Sequence, residues 1–162
     1  MKIIKIEKNN LINGPGMRCV VWVSGCSHNC PGCHNPETHN PNIGEELNQS
    51  HIDEIMQQLA RPDIAGVTFT GGDPMHPANR SGIMALSALI KTTHPEKNIW
   101  CWTGYRYEMI KDDFVMSHID VLVDGPYIAA LNPGIGKIKW RGSSNQRIID
   151  VQKSILKKET VE

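Results

Sequence analysis

The stretch Arg18-Cys-Val-Val-Trp-Val23, followed at once by Ser24-Gly-Cys26-Ser-His-Asn-Cys30-Pro-Gly-Cys33-His34, decides how the rest of the chain is read. Its first half is a short apolar run rich in Val and Trp, the pattern of a buried strand. Its second half is a polar loop loaded with thiols. Outward along the chain the same arrangement recurs. Gly66 to Phe69, Asn98 to Trp102 and Asp120 to Val123 also read as buried strands, and they run into Thr70-Gly-Gly-Asp-Pro74, Thr103-Gly-Tyr105 and Asp124-Gly-Pro-Tyr127. Between the strands lie segments of helical spacing. One opens near Ser50, a candidate N-cap, with Ile52, Ile55, Met56 and Leu59 on one face. A second carries Ile83, Met84, Leu86, Leu89 and Ile90, and a third runs near Tyr107 to Phe114. Strand alternating with helix predicts a parallel sheet with right-handed crossovers, hence an α/β fold. In such folds ligands bind at the carboxyl edge of the strands, so the four turns are expected to face one pocket.

The 162 residues form a single expected domain, 1–162, with no internal repeat or low-complexity linker. A domain of this size buries roughly 70% of its unfolded surface and needs no disulfide staples. Pro126 to Gly136 is the most irregular stretch, and the polar tail from Lys153 to Glu162 is expected to fray. Seventeen Lys+Arg balance seventeen Asp+Glu, which argues against nucleic acid and membrane surfaces as partners. The first ten residues lack the apolar core of a signal peptide, and no apolar run is long enough to span a bilayer. A cytoplasmic protein with reduced cysteines is therefore expected, and three cysteines within eight residues read as ligands rather than disulfide halves.

Cys26-x3-Cys30-x2-Cys33 offers three thiolates in one loop, a spacing that suits a cubane cluster with one iron left open. Other chemistries use parts of the same loop. Cys30-Pro-Gly-Cys33-His34 has the bare pattern of c-type haem attachment, which needs export, and a redox pair of Cys30 and Cys33 leaves Cys26 without a role. Zinc is the stronger rival, because His28 or His34 completes a tetrahedral set. Cys19 and Cys101 lie within strands and read as small buried hydrophobes. In the turn at 70–74, two glycines let the backbone come close to a ligand, and the Asp73 carboxylate can bond a cationic amine. The same turn taken alone is an ordinary strand-to-helix connection. Beside the cysteine loop, the ligand-binding reading is preferred.

Together, the CxxxCxxC loop and the glycine-glycine-acid turn resemble the radical S-adenosylmethionine superfamily. Asn13-Gly-Pro-Gly-Met-Arg18 resembles the activating enzymes of glycyl-radical proteins. Trp102-Thr-Gly-Tyr105, Asp124-Gly-Pro126 and Trp140-Arg-Gly-Ser-Ser-Asn-Gln146 are similar to segments of the activases of anaerobic ribonucleoside-triphosphate reductase. The resemblance spans Asn13 to Gln146. It implies a partial (β/α) barrel, shorter than a full eight-unit barrel, with Cys26, Cys30 and Cys33 ligating a 4Fe-4S cluster. S-adenosyl-L-methionine would chelate the open iron, with Gly71, Gly72 and Asp73 at its methionine end and Gly32, Cys33 and His34 at its nucleoside. Reduced flavodoxin or a similar donor would supply the electron. A 5'-deoxyadenosyl radical would then take a glycine hydrogen from the large catalytic subunit of the reductase.

The sequence departs from the superfamily at Gly32, a position that is often aromatic, and His34 is the candidate for the missing ring. Arg18 and Arg141 are candidates for neutralising cofactor or cluster charge, or for ordinary ion pairs. Trp100, Trp102, Tyr105 and Trp140 shape either the pocket or the core. Two other functions fit parts of the pattern. One is activation of a different glycyl-radical enzyme, such as a formate-lyase type, whose activases carry cluster-binding segments absent here. The other is a non-catalytic zinc module that recruits proteins through Tyr127 to Trp140.

Overall fold

The computed structural model describes residues 1–134 and 136–162. The four apolar runs become strands β2 (Met17–Val23), β4 (Ile64–Gly71), β5 (Asn98–Trp102) and β6 (Val121–Asp124), mutually parallel in that order. Three further strands were not foreseen: β1 (Lys2–Asn10), β3 (Glu45–Glu46) and β7 (Arg147–Asp150). All three pair antiparallel, giving a seven-stranded mixed sheet of order β3-β1-β2-β4-β5-β6-β7. The expected parallel sheet is thus confined to the four central strands. Between β1 and β2 the link is too short to hold a crossover helix, so the chain reverses direction there.

Helices α1 (Gln49–Leu59) and α2 (Arg80–Thr93) occupy the expected positions. The N-cap of α1 is Asn48 rather than Ser50: Asn48 Oδ1 accepts from His51 N at 3.2 Å, and His51 Nδ1 accepts from Asn48 N at 3.4 Å. The third helical segment divides into α3 (Tyr107–Ile110) and a 3-10 turn over Phe114–His118. The tail is corrected more strongly. Helix α4 (Val151–Lys157) is capped by Asp150, and the chain beyond it folds back, with Asp150 N donating to Val161 O at 2.8 Å and Val161 N to Ser154 Oγ at 2.9 Å.

Period-two alternation gives the sheet two different faces. Cys19, Val21, Val23, Val67, Phe69, Ile99 and Cys101 are buried in one core with Ile55 and Leu59 of α1 and Ile83 and Ile90 of α2. Burial pushes the Cys19 thiol up to about 12 and Cys101 well above its ordinary value, so both behave as the inert hydrophobes expected. On the opposite face the central strands present Arg18, Trp22, Thr68, Thr70, Trp100 and Trp102.

Arg18 is fully buried there. Its guanidinium donates to Thr68 Oγ1, Pro15 O, Val67 O and Asn98 O at 2.7 to 3.2 Å and stacks on Trp100. Thr68 in turn donates to Asn13 O at 2.8 Å. This pins the turn before β2 against the sheet. The close packing needs Gly66, because a Cβ at that position would collide with the Asn98 backbone.

Two measurements test this packing. Gly66→Ala should cost about 2–3 kcal/mol of stability, seen as a lower denaturation midpoint; an unchanged midpoint would contradict the β4–β5 contact. At the far edge, Arg147 forks onto Glu108 with both bonds at 2.9 Å and holds that carboxyl down to about 2. A depressed folded-state pKa stabilises above the unfolded value of about 4.3 and is lost as pH falls toward 2. Glu108→Gln should therefore lower stability at neutral pH and flatten its acid dependence in that window.

Candidate iron-sulfur and cofactor cleft

The four turns at the carboxyl edge are held to one another by hydrogen bonds and by the absence of side chains. Leaving β2, the chain turns at Gly25 (φ +95°), and Gly25 N and Cys26 N donate to Thr38 O and His39 O at 2.8 and 3.1 Å. The cysteine loop is thereby seated on the 3-10 turn Pro36–His39. The turn after β4 locks onto it: Gly72 N donates to Val23 O at 2.7 Å and Asp73 N to Gly25 O at 2.8 Å. Both glycines are required by this contact. Gly71 sits at φ +111°, and a Cβ on Gly72 would lie 2.6 Å from Gly25 O and 2.9 Å from Thr38 O.

Asp73 is 1% exposed, and its carboxylate is fully engaged. Met75 N donates to Oδ1 at 2.8 Å, while Thr103 Oγ1 and Gly104 N donate to Oδ2 at 3.0 Å and His28 Nε2 lies 2.8 Å from the same oxygen. One oxygen thus joins the cysteine loop, through His28, to the turn after β5. His28 also packs edge-on against Tyr105, with centroids 4.6 Å apart.

The turns surround a cleft of about 490 Å³ on the inner face of the sheet. Of the residues singled out from sequence, Cys26, Cys30, Cys33, His34, Gly71 and Gly72 line it, whereas Gly32 and Asp73 do not. Gly32 is at φ +75°, and a Cβ there would stand 3.2 Å from the Cβ of Ala129, so the position favours glycine. The ring beside His34 belongs to Tyr127, with centroids 4.7 Å apart.

The three cysteines are free and half-buried. Burial first, and then the charges of Asp73, Cys30 and Cys33, push the Cys26 thiol up to about 11 against the lowering effect of a backbone hydrogen bond from His28. A donor set whose members repel one another's thiolates calls for a cationic centre among them. His28, one of the two candidate fourth zinc ligands, is committed to Asp73. Three cysteines within eight residues, all lining the cleft, supply the ligand set of a cluster that takes each thiolate at a separate iron.

The 140–146 segment, in which sequence reasoning gave no role to Asn145 and Gln146, completes the wall of the cleft. Gln146 Oε1 accepts from Gly142 N and Ser143 N at 2.8 and 3.1 Å, and its Nε2 donates to Gly125 O at 2.9 Å. Asn145 Nδ2 donates to Pro126 O at 2.8 Å. The 140–146 loop is thus moored to the turn after β6. Trp140-Arg-Gly-Ser-Ser-Asn-Gln146 was visible as a match, but nothing in its composition announces these bonds.

Residues 12–149 match the family model described as a 4Fe-4S single cluster domain, and the chain belongs to that family. Among its relatives is the anaerobic ribonucleoside-triphosphate reductase-activating protein of Enterobacteria phage T4, 41% identical over 148 residues that cover 91% of this chain and 93% of the relative. The protein of the same name from Vibrio cholerae is 43% identical over 144 residues, 86% of this chain and 91% of the relative. That of Escherichia coli K12 is 40% identical over 141 residues, 85% and 90% of the respective chains.

Asp73→Asn sets an amide NH2 against donors or removes an acceptor, and should cost about 2–3 kcal/mol of stability while lowering iron retained per chain. Cys26→Ala should bind no intact cluster yet melt like the metal-free parent. Global unfolding of Cys26→Ala would point to a structural metal instead.

Proposed function

We propose that this protein activates an anaerobic ribonucleoside-triphosphate reductase by forming a glycyl radical on its large catalytic subunit. The convergence of the three cysteines with Gly71 and Gly72 on one cleft carries the reading, and the names of its relatives supply the partner. Held by Cys26, Cys30 and Cys33, a 4Fe-4S cluster would supply the single electron for reductive cleavage of S-adenosyl-L-methionine, the chemistry from which hydrogen-atom removal at a glycine would follow. The chain's own residues bind, orient and exclude water.

Cys26, Cys30 and Cys33 hold three corners of the cluster. Gly71 and Gly72, bare of side chains, let the methionine end approach the backbone. Asp73 acts one step behind: with its carboxylate engaged by four donors, it fixes the turn rather than receiving the amine through its side chain. His34, packed at a tilt against Tyr127, forms a wall for the nucleoside, with Cys33 and the Gly32 turn beside it. A cleft of about 490 Å³ is of the size that takes a small ligand of this class. Trp102 and Trp140 line it with apolar surface that keeps water from a reactive centre.

The central parallel strands, with helices on one face and the cleft on the other, support the reading of a partial barrel. Reduced flavodoxin or a similar carrier is the proposed electron donor. No helix among the described residues is long and apolar enough to cross a membrane, in keeping with the cytoplasmic location proposed.

The test is anaerobic incubation of the cluster-loaded protein with S-adenosyl-L-methionine, a reductant and the reductase large subunit. A glycyl-radical doublet by electron paramagnetic resonance on that subunit is expected. A doublet on a formate-lyase type enzyme, and none on the reductase, would overturn the choice of partner.

A further inference from the structure

Four exposed apolar residues stand in a row beside the cleft. Ile128 and Leu131 are 40% and 43% exposed, and Ala129 and Ala130 between them are exposed as well. A soluble surface seldom carries such a run unless something covers it. The run is also ordered. Leu131 N donates to Ile128 O at 2.9 Å and Asn132 N to Ala129 O at 3.1 Å, closing a 3-10 turn. Ile128 N donates to Ser143 Oγ at 3.1 Å and Ser144 N to Leu131 O at 2.9 Å, which ties the turn to the 140–146 loop. Its neighbours place it at the edge of the cleft: Tyr127 and Asn132 line the cleft, and Ala129 abuts the cysteine loop at Gly32.

A second apolar tip borders the same cleft from the segment that leads into β2. Leu11 and Ile12 are 67% and 75% exposed, and Ile12 lines the cleft. Asn10 Oδ1 accepts from Ile12 N and Asn13 N at 2.8 and 2.9 Å, and Thr68 Oγ1 donates to Asn13 O, so this tip too is held in place. The remaining exposed large apolar side chains are Leu89, Met109, Phe114, Ile155 and Leu156; neither they nor their chain neighbours line the cleft. Charge sorts in the same way. Leu11 to Met17 carries no charged residue, and Gly125 to Gln146 carries Lys137, Lys139 and Arg141 but no Asp or Glu.

We propose that the Ile128–Leu131 turn and the Leu11-Ile12 tip form the docking surface for the large catalytic subunit, seating an apolar segment flanked by carboxylates that brings the glycine to the cleft. This rests on the function proposed above and names the surface that its protein substrate uses. Hydrogen-atom transfer requires the reacting atoms within about 3–3.5 Å of each other, so a glycine held in a protein chain must be carried into the cleft past its edge. Aliphatic side chains already fixed at that edge bury area at little ordering cost and, once covered, exclude water. The cations of the 125–146 segment favour a facing surface that carries carboxylates. An electron carrier also meets this site, but it has no need to enter the cleft, and redox encounters are small and brief. An apolar surface suits the partner that stays longer.

The experiment uses the cluster-loaded protein with a chemical reductant, S-adenosyl-L-methionine and graded amounts of large subunit, and reads the glycyl-radical doublet. Release of 5'-deoxyadenosine without the subunit is measured in parallel. Leu131→Ser and Leu11→Ser should each raise the apparent KM for the subunit by about tenfold, with the radical yield restored at saturating subunit. Release without the subunit should stay within about twofold of the parent, which reports a folded site. The penalty should persist at high salt, where a purely electrostatic contact would fade. An unchanged KM in both variants would overturn the assignment, as would loss of subunit-free release to the same degree as radical formation. So would variants that meet the subunit normally but draw electrons poorly from a reduced protein carrier, which would give the surface to the donor. If the parent itself releases no 5'-deoxyadenosine, the functional reading fails and this assignment falls with it; a parent that releases it beside variants of unchanged KM sinks the docking surface alone.

Discussion

One buried carboxylate holds the site together. Burying an ionised Asp73 at 1% exposure is costly unless its lone pairs are filled, and here they are filled by groups from three separate turns. The constraint works in both directions. Asp73 is stable only because His28, Thr103 and Gly104 surround it, and those turns keep their positions because Asp73 is there. The backbone bonds from Gly72 and Asp73 to Val23 and Gly25 add a second tie between the same turns. Together the two ties hold the cysteine loop against the turn after β4.

The sheet makes this arrangement possible by dividing its labour between faces. One face is sealed by α1 and α2 around an apolar core. On the other, the residues nearest the strand origins close the structure: Arg18 is buried among carbonyls, and Trp100 packs edge-on against Trp140 at 5.7 Å. Higher up that face, Trp22, Thr70 and Trp102 reach the cleft instead. A closed floor beneath an open carboxyl edge gives a pocket wide enough for a small ligand and bounded below against water.

The central strands were legible because buried parallel strands read as unbroken apolar runs. The edge strands were not. Lys2, Lys5, Glu7 and Lys8 scatter charge through β1, and β7 offers just Ile148 and Ile149 between charged ends. Local polarity also misplaced the tail, whose order comes from tertiary bonds through Asp150, Ser154 and Val161. Within the site, the cysteines and glycines announced themselves by spacing. The task of Asp73 did not, because its partners His28 and Thr103 lie 45 and 30 positions away in the chain. Gln146 was hidden for the same reason: a glutamine carries no local signal of the turn it will anchor, here 21 positions upstream.

The central claim is that these turns form one site in which a three-cysteine cluster meets S-adenosyl-L-methionine. The most direct measurement is release of 5'-deoxyadenosine after anaerobic reconstitution with iron and sulfide and addition of S-adenosyl-L-methionine, with and without reductant. A brown protein that releases 5'-deoxyadenosine only when reduced is the predicted result. A colourless protein that holds stoichiometric zinc and releases none would contradict the account and return the cysteine loop to a structural role.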